Sequence, residues 1–138
     1  MINLIIGSKG SGKTKKLITL AEEATARTQG NVVCVEKGPA LKYSLTSAAR
    51  LVDTDDYGIN GYDSFYGLLC GICATNYDVT DIFVDATLRV GGRNMDDMLA
   101  FFHRVAVLSD ESNTNFTFTL SCEAGDLPED LFTIAQQI

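Results

Sequence analysis

The sequence predicts an α/β fold, a three-layer α/β/α sandwich in which helices cover both faces of a five-stranded, mainly parallel sheet. Short apolar runs alternate with longer amphipathic stretches along the 138 residues, which is typical of β-α units around a parallel sheet. Gly and Pro residues close two of these elements. The length matches one domain with a sizeable core, so residues 1–138 are predicted to form a single domain.

The first half of the chain is predicted to form three strands and two helices. Residues 2–6 and 31–36 are apolar runs of strand length, and residues 50–54 are a shorter run of the same kind. Between the first two runs, apolar residues recur at helical spacing over residues 13–28. Residues 62–76 are predicted to form a second helix, in which two glycines weaken the pattern.

The second half adds two strands and two helices. Residues 81–86 form a buried apolar run, and residues 116–121 form the last predicted strand. Asn94 can cap the helix between them, because its side chain can accept a hydrogen bond from a first-turn backbone N–H. Asp126 and Glu129 resemble a capping box and predict a terminal helix.

Composition and charge argue against two classes of partner. The chain has 18 acidic and 11 basic residues and a formal net charge of −7, whereas nucleic-acid binding draws on clustered Lys and Arg. Nucleic acid is therefore disfavoured as a partner. No apolar run approaches the roughly 18 to 20 residues that a membrane helix needs, so no membrane partner is expected. The first strand begins at residue 2, which leaves no room for a signal peptide and predicts a cytoplasmic protein.

The cysteines indicate neither a disulfide framework nor a zinc site. Cys70 and Cys73 form a CxxC pair, but His103 is the single histidine and no second Cys/His pair lies nearby in the sequence. We interpret the pair as small residues on a packed helix face, and a redox-sensing role stays open as the alternative.

The strongest local signal is the glycine-rich segment, residues 7–14, which follows the first strand and opens the first helix. It matches the pattern GxxxxGK[ST] throughout and consists of Gly7, Ser8, Lys9, Gly10, Ser11, Gly12, Lys13 and Thr14. Its glycines let backbone N–H groups point at phosphate oxygens, and the helix N-terminus adds partial positive charge. Lys13 is predicted to reach the terminal phosphates of a nucleoside triphosphate, and the Thr14 hydroxyl is predicted to ligate Mg²⁺.

A second candidate residue ends the apolar run at residues 82–84. Asp85 stands where the carboxylate of a Walker B motif would stand, and there it can hold a magnesium ion opposite Thr14. An Asp after a parallel strand is a weak motif by itself, but here it follows a complete P-loop pattern. Together the two motifs predict a site for Mg²⁺ and a nucleoside triphosphate, with ATP as the expected ligand.

On these motifs the chain resembles the RecA-like branch of P-loop NTPases over most of its length. In that branch the strand after the P-loop helix ends in a catalytic glutamate, and a small residue follows the Walker B aspartate. Here Glu36 ends that strand and Ala86 follows Asp85. The resemblance implies that Glu36 polarises an attacking water, with Lys13 as its catalytic companion on the phosphates. It also implies that Ser121 occupies a polar sensor position on the last strand.

The resemblance further implies an order of strands in a RecA-like core. The strand at 116–121 is expected between the strands at 2–6 and 81–86. The strand at 31–36 is expected on the other side of 81–86, with 50–54 at the edge. The chain is also similar to small uncharacterised ATP-binding proteins of Gram-positive bacteria, some of which carry a twitching-motility label. Unlike RecA-like motors, it shows no DNA-binding loops of recognisable length, and no second domain is expected. It also shows no paired zinc cysteines and no lasso-like insertion to match thymidine kinases.

Three further features are open to a functional interpretation. Arg89 and Arg93 flank two glycines and could form an arginine finger, in cis or from a neighbouring subunit, although a surface turn is favoured. Asp53 and its acidic neighbours could bind a second metal or a substrate, although a solvated acidic loop is favoured. Tyr57 or Tyr62 could stack on a base.

Three functions are compatible with these motifs. The leading hypothesis is an ATP-binding protein with weak or partner-stimulated hydrolysis, in which a protein partner or a homo-oligomer completes the site. The second is a nucleotide-dependent switch or interaction module that binds without turnover. The third, a small-molecule kinase, is disfavoured because the sequence offers no obvious lid or acceptor-binding domain.

Overall fold

The computed structural model describes residues 1–39, 41 and 48–138. The strands are β1 (Ile2–Gly7), β2 (Asn31–Glu36), β3 (Ala49–Asp53), β4 (Val79–Val84), β5 (Asn115–Ser121) and β6 (Gln136–Gln137). The helices are α1 (Lys13–Arg27), α2 (Tyr62–Thr75), α3 (Thr87–Gly91), α4 (Met95–Ser112) and α5 (Leu131–Ile134). The strands and helices predicted up to residue 121 are all present, with ends within three residues of those predicted. In the part of the chain given above, none of the helices combines the length and apolar character needed to cross a bilayer.

The sheet has six strands, all parallel, in the order β3-β2-β4-β5-β1-β6, so the prediction of five mainly parallel strands is wrong. The additional strand, β6, pairs with β1 through Asn3↔Gln136 and Leu4↔Gln137. Ile138 N donates to Leu4 O at 2.9 Å and extends this pairing. Two exposed glutamines carry no apolar pattern, so this strand forms because the edge of β1 offers unpaired backbone groups.

The order of the other five strands agrees with the order that the resemblance implied. β5 lies between β1 and β4, β2 flanks β4 on its other side, and β3 is the strand beyond β2. The carboxyl ends of these parallel strands share one edge of the sheet, which is where such sheets bind ligands. The glycine-rich segment leaves this edge from β1, and Asp85 leaves it from β4.

Alternating side chains on β5 separate the two faces of the sheet. Phe116, Phe118 and Leu120 belong to the larger apolar cluster, which α2 and α4 cover. Thr117 and Thr119 point to the opposite face and are nevertheless buried, at 5% and 2% exposure. That face carries the smaller apolar cluster, to which α1 contributes. The hydroxyl groups of β5 therefore lie on the same side of the sheet as the helix that follows the glycine-rich segment.

The chain end and α3 depart from the sequence prediction. The capping box predicted between Asp126 and Glu129 is wrong, because the Asp126 carboxylate accepts from Glu123 N at 3.3 Å one turn earlier. This bond closes a short 3-10 turn, and the terminal helix α5 has only four residues. The predicted cap at Asn94 is confirmed, since its side chain accepts from Asp97 N at 3.0 Å. Helix α3 was not predicted, because five residues are too few to show a helical period.

An aromatic group fills the space between the sheet and the helices α2 and α4. Phe101 lies at its centre and is 2% exposed. Its ring centroid is 5.1 Å from that of Tyr62, 5.2 Å from Phe65, 5.3 Å from Phe102 and 5.9 Å from Phe118. Because such rings contribute both buried area and edge-to-face contacts, Phe101 ties three elements together.

Truncation of Phe101 should therefore destabilise the fold strongly. We expect Phe101→Ala to lower the free energy of unfolding by about 3–5 kcal/mol, because the cavity cannot close between packed rings. Val107→Ala on the same helix is the control, since Val107 is 56% exposed and should change stability by less than about 1 kcal/mol. Urea unfolding followed by circular dichroism measures both, and equal losses would contradict this account of the core.

Candidate functional site

The glycine-rich segment turns from β1 into α1 through two left-handed residues. Gly10 has φ +83° and Gly12 has φ +89°, a region that L side chains rarely adopt, so both positions favour glycine. Ser11 N donates to Ser8 O at 3.1 Å and closes the turn. A Cβ at Gly10 or Gly12 would meet no atom within 4 Å, so the backbone is open on the side where a ligand could approach.

Lys13 begins α1 and folds its side chain back over the turn. Its Nζ donates to Ser8 O at 2.9 Å, and the residue is only 8% exposed. A buried ammonium group needs hydrogen-bond acceptors, and an ammonium has three N–H groups to donate. The Ser8 carbonyl is one acceptor, so the remaining N–H groups are available to an anion in the adjoining cavity.

The carboxylate of Asp85 connects the glycine-rich segment to the sheet. Thr14 Oγ1 donates to Asp85 Oδ2 at 3.0 Å, and Thr119 Oγ1 donates to Asp85 Oδ1 at 2.6 Å. The register explains the second contact. Val84, the last residue of β4, pairs with Phe118 of β5, so Asp85 and Thr119, which follow them in the chain, lie side by side. The structure thus brings Thr14 and Asp85, the two residues predicted to hold Mg²⁺, into direct contact, and their role as metal ligands stays a prediction.

Thr119 was missed by the sequence analysis. Its signal was the alternation of Phe and Thr along β5, which predicts two faces of different polarity. Nothing in that alternation shows which threonine is level with Asp85, since the register between β4 and β5 is a tertiary feature. Ser121, the residue predicted on this strand, lies two residues further along, at the mouth of the cavity.

Ala86 adopts an unusual backbone conformation directly after Asp85. Its φ of 59° and ψ of 40° are left-handed, which costs a non-glycine residue roughly 1–2 kcal/mol. Ala86 N donates to Thr119 Oγ1 at 3.0 Å, so one threonine hydroxyl holds both the strained residue and the carboxylate before it. The sharp turn at Ala86 sends the chain into α3 beside the glycine-rich segment.

A cavity of about 880 Å³ opens between the glycine-rich segment, the end of β4 and α3. Its lining is Lys9, Gly10, Gly12, Lys13, Thr14, Lys15, Asp85, Ala86, Leu88, Arg89, Arg93 and Ser121. Five of these side chains are cationic and one is a carboxylate, although the whole chain carries a formal net charge of −7. The cavity therefore has the opposite charge to the chain as a whole and suits an anionic ligand.

Arg89 and Arg93, for which the sequence allowed either an arginine finger or a surface turn, both line this cavity. Arg89 lies on α3, and Arg93 follows that helix and donates through Nη1 to Ser121 O at 3.4 Å. The favoured interpretation as a surface turn is therefore incomplete, because the turn forms one wall of the site. Both side chains are exposed, as a ligand contact from this wall requires.

Glu36 ends β2 at the same edge of the sheet but does not line the cavity. It is 2% exposed, and both of its carboxylate oxygens lie 3.0 Å from Leu41 N, whose N–H they accept. Burial raises the pKa of Glu36 to about 7, the Leu41 N–H opposes that rise, and the nearby charges of Asp53 and Asp85 add to it. The carboxylate is thus withdrawn from the cavity and titrates near neutral pH.

The other residues singled out in the sequence have structural contacts. Asp53 Oδ1 accepts from Gly38 N and from Asp55 N, each at 2.9 Å, so it caps the turn after β3. Lys37 forms an ion pair with Asp55. The cysteine pair lies on α2, with Cys73 buried and Cys70 half-buried, and neither cysteine lines the cavity.

Comparison with known proteins adds information about the fold. No protein-family model matches the chain, and no curated protein matches it. Among solved structures, the chain is similar to flagellar accessory protein FlaH from Methanocaldococcus jannaschii, with a TM-score of 0.58 and 20% sequence identity. The match covers 96% of this chain and 65% of FlaH, so the chain spans under two-thirds of the length of that protein. At this identity the likeness concerns the fold alone.

The double role of Thr119 can be tested by removing its hydroxyl. We expect Thr119→Val to lower the free energy of unfolding by about 1–3 kcal/mol, because Ala86 N–H and the Asp85 carboxylate each lose a partner. Thr117→Val changes the same residue type on the same face of β5 and is the matched control. Chemical denaturation of both variants measures the difference, and a loss no greater at Thr119 than at Thr117 would contradict the assignment.

Proposed function

We propose that this chain binds a nucleoside triphosphate, ATP in the first instance, together with Mg²⁺ in the cavity beside the glycine-rich segment. The observation that carries the proposal is the hydrogen bond between Thr14 and Asp85, two residues that line the same cavity as five cationic side chains. This pairing brings a hydroxyl from a GxxxxGK[ST] segment and a carboxylate from a strand end to one point, as Mg-nucleotide chemistry needs.

The phosphate part of the ligand fits the glycine-rich side of the cavity. Gly10 and Gly12 leave the backbone open, Lys13 retains free N–H groups, and Lys9 and Lys15 add charge nearby. Backbone N–H groups at the start of a helix of 15 residues favour an anion through the helix dipole. These groups bind phosphates and make no distinction between bases, so the triphosphate is the recognised part.

The metal part of the ligand fits the oxygen donors of Thr14 and Asp85. Mg²⁺ prefers hard oxygen ligands and usually keeps several waters, with the remaining positions taken by one or two protein groups and substrate phosphates. Within residues 1–39, 41 and 48–138 no group of three or more His, Cys, Asp or Glu side chains forms a metal site. A magnesium ion here would therefore depend on the nucleotide for part of its coordination.

The environment of Glu36 supports slow turnover. To polarise a water, Glu36 has to reach it, yet the residue is 2% exposed and both of its carboxylate oxygens accept from Leu41 N. A pKa of about 7 would suit a general base, so access to the carboxylate, and not its basicity, limits turnover. Hydrolysis would increase if a partner or a second copy of the chain drew Leu41 away from the carboxylate. The same observation favours the second candidate function, a nucleotide-dependent switch that binds without turnover.

The predicted cytoplasmic location and the absence of a nucleic-acid partner stay predictions.

Removal of the Lys13 side chain should weaken binding of Mg-ATP. We expect Lys13→Ala to raise the dissociation constant by about 10- to 100-fold, because a charge-assisted hydrogen bond to phosphate is lost. Lys16→Ala is the matched control, since Lys16 is exposed on the same helix and does not line the cavity. Isothermal titration calorimetry with ATP and Mg²⁺ measures both, and unchanged affinity in Lys13→Ala would remove the site assignment.

The role of Glu36 predicts a pH dependence of phosphate release. If Glu36 is the base, turnover should increase as the pH rises from about 6 to 8, since the ionised fraction grows through a pKa of about 7. Glu36→Gln should then abolish turnover and retain ATP binding, whereas Glu22→Gln on the exposed side of α1 should leave turnover unchanged. Equal turnover in Glu36→Gln and the wild type would exclude Glu36 from the mechanism.

The pH dependence of stability tests the raised pKa of Glu36 independently of turnover. Because the folded-state pKa of Glu36 is raised, its contribution to stability is complete below the ordinary value of 4.5 and is lost as the pH rises through about 7. The wild type should thus lose stability relative to Glu36→Gln between about pH 5 and 8, by on the order of 1–3 kcal/mol. A pH-independent difference between the two proteins would show that the carboxyl titrates normally.

A further inference from the structure

The second cationic wall of the cavity is formed by a short stretch of chain, residues 87–93, which we call the arginine segment. It begins after the strained turn at Ala86 and includes α3. Leu88 and Val90 are buried, at 4% and 1% exposure, whereas Arg89 between them is exposed and lines the cavity. The buried residues therefore anchor the segment and leave the arginine free to reach a ligand.

The far end of the arginine segment is held by the start of α2. Tyr62 Oη donates to Gly92 O at 2.7 Å, and Gly61 N donates to Val90 O at 2.9 Å. The ring of Tyr62 lies so close to Gly91 that a Cβ there would be 2.1–2.5 Å from three ring atoms. Glycine is therefore required at Gly91, and the position of the segment depends on the tyrosine.

Tyr62 is itself fixed by the core. It is 8% exposed, and its ring centroid lies 5.1 Å from that of Phe101. Burial raises the pKa of Tyr62, so the hydroxyl keeps its proton and remains a donor to Gly92. One rigid aromatic contact thus sets where the backbone between Arg89 and Arg93 passes the cavity.

We propose that the arginine segment distinguishes a nucleoside triphosphate from a diphosphate, with Arg89 and Arg93 as binding residues and Tyr62 as the positioning residue. This inference rests on the proposed function and assigns the recognition of the terminal phosphoryl group to a particular wall. The glycine-rich side already provides Lys9, Lys13 and Lys15 for the phosphates near the loop. The additional negative charge of a triphosphate is what a second wall of guanidinium groups can bind, and their planar donors match phosphate oxygens.

The test compares the affinities of ATP and ADP, each with Mg²⁺, by isothermal titration calorimetry. For the wild type we expect ATP to bind about 10-fold or more tightly than ADP. In the double variant Arg89→Gln with Arg93→Gln, ATP affinity should fall by about 10-fold and ADP affinity by less than about 3-fold, which brings the ratio close to one. Arg50→Gln is the control, because Arg50 is exposed on β3 and does not line the cavity.

Tyr62→Phe tests the positioning role separately. This change keeps the ring against Gly91 and Phe101 and removes only the hydrogen bond to Gly92. ATP affinity should fall by about 3- to 10-fold while ADP affinity stays within about 2-fold. Tyr66→Phe removes a hydroxyl from the same helix outside the cavity lining and should leave the ratio unchanged. Equal losses for ATP and ADP in Tyr62→Phe would indicate general destabilisation and contradict the positioning role.

The outcomes separate the inference from the function on which it rests. If the wild type binds neither nucleotide, the proposed function and the inference both fail. If both nucleotides bind and the ratio is near one in the wild type, or is unchanged in the double arginine variant, the inference is overturned and the proposed function stands.

Discussion

The carboxylate of Asp85 is the contact on which the candidate site depends. One of its oxygens accepts from Thr14 of α1 and the other from Thr119 of β5, while its backbone N–H pairs with Val35 of β2. Three elements that are remote in sequence are thus joined at one side chain. Because Thr119 also accepts from the strained Ala86, the same contact directs the chain into the arginine segment. The shape of the cavity follows from this group of bonds.

Charge is distributed unevenly around this contact. The chain has an excess of acidic residues, but the wall of the cavity collects three lysines and two arginines against one carboxylate. On the far side of the Asp85 strand, burial and the nearby carboxylates instead raise the pKa of Glu36 to about 7. A site of this kind attracts an anion strongly but keeps its candidate base buried and bound to a backbone N–H, which is why binding is a better-supported function than hydrolysis. Release of Glu36 from Leu41 N is the physical change that would alter this balance.

Strand β5 contributes side chains both to the core and to the face of the sheet that carries the site. On β5 the phenylalanines enter the large cluster under α2 and α4, and the threonines lie on the opposite face, where Thr119 contacts Asp85. Tyr62 connects the core to the arginine segment, since it packs on Phe101 and donates to Gly92. Core packing and the position of the arginines are therefore coupled, and a change in the packing around Phe101 should shift the arginine segment.

The sequence by itself determined the α/β class, the helices and strands up to residue 121 with the exception of α3, and the glycine-rich segment with Asp85, because these features depend on local periodicity and residue type. Only the tertiary structure decided the sixth strand, since Gln136 and Gln137 carry no strand signal and pair because an edge is open. It also decided the roles of Thr119, Tyr62 and the two arginines, which depend on register and on a left-handed turn at Ala86. Such contacts join residues far apart in the chain, and no local pattern encodes which of them meet.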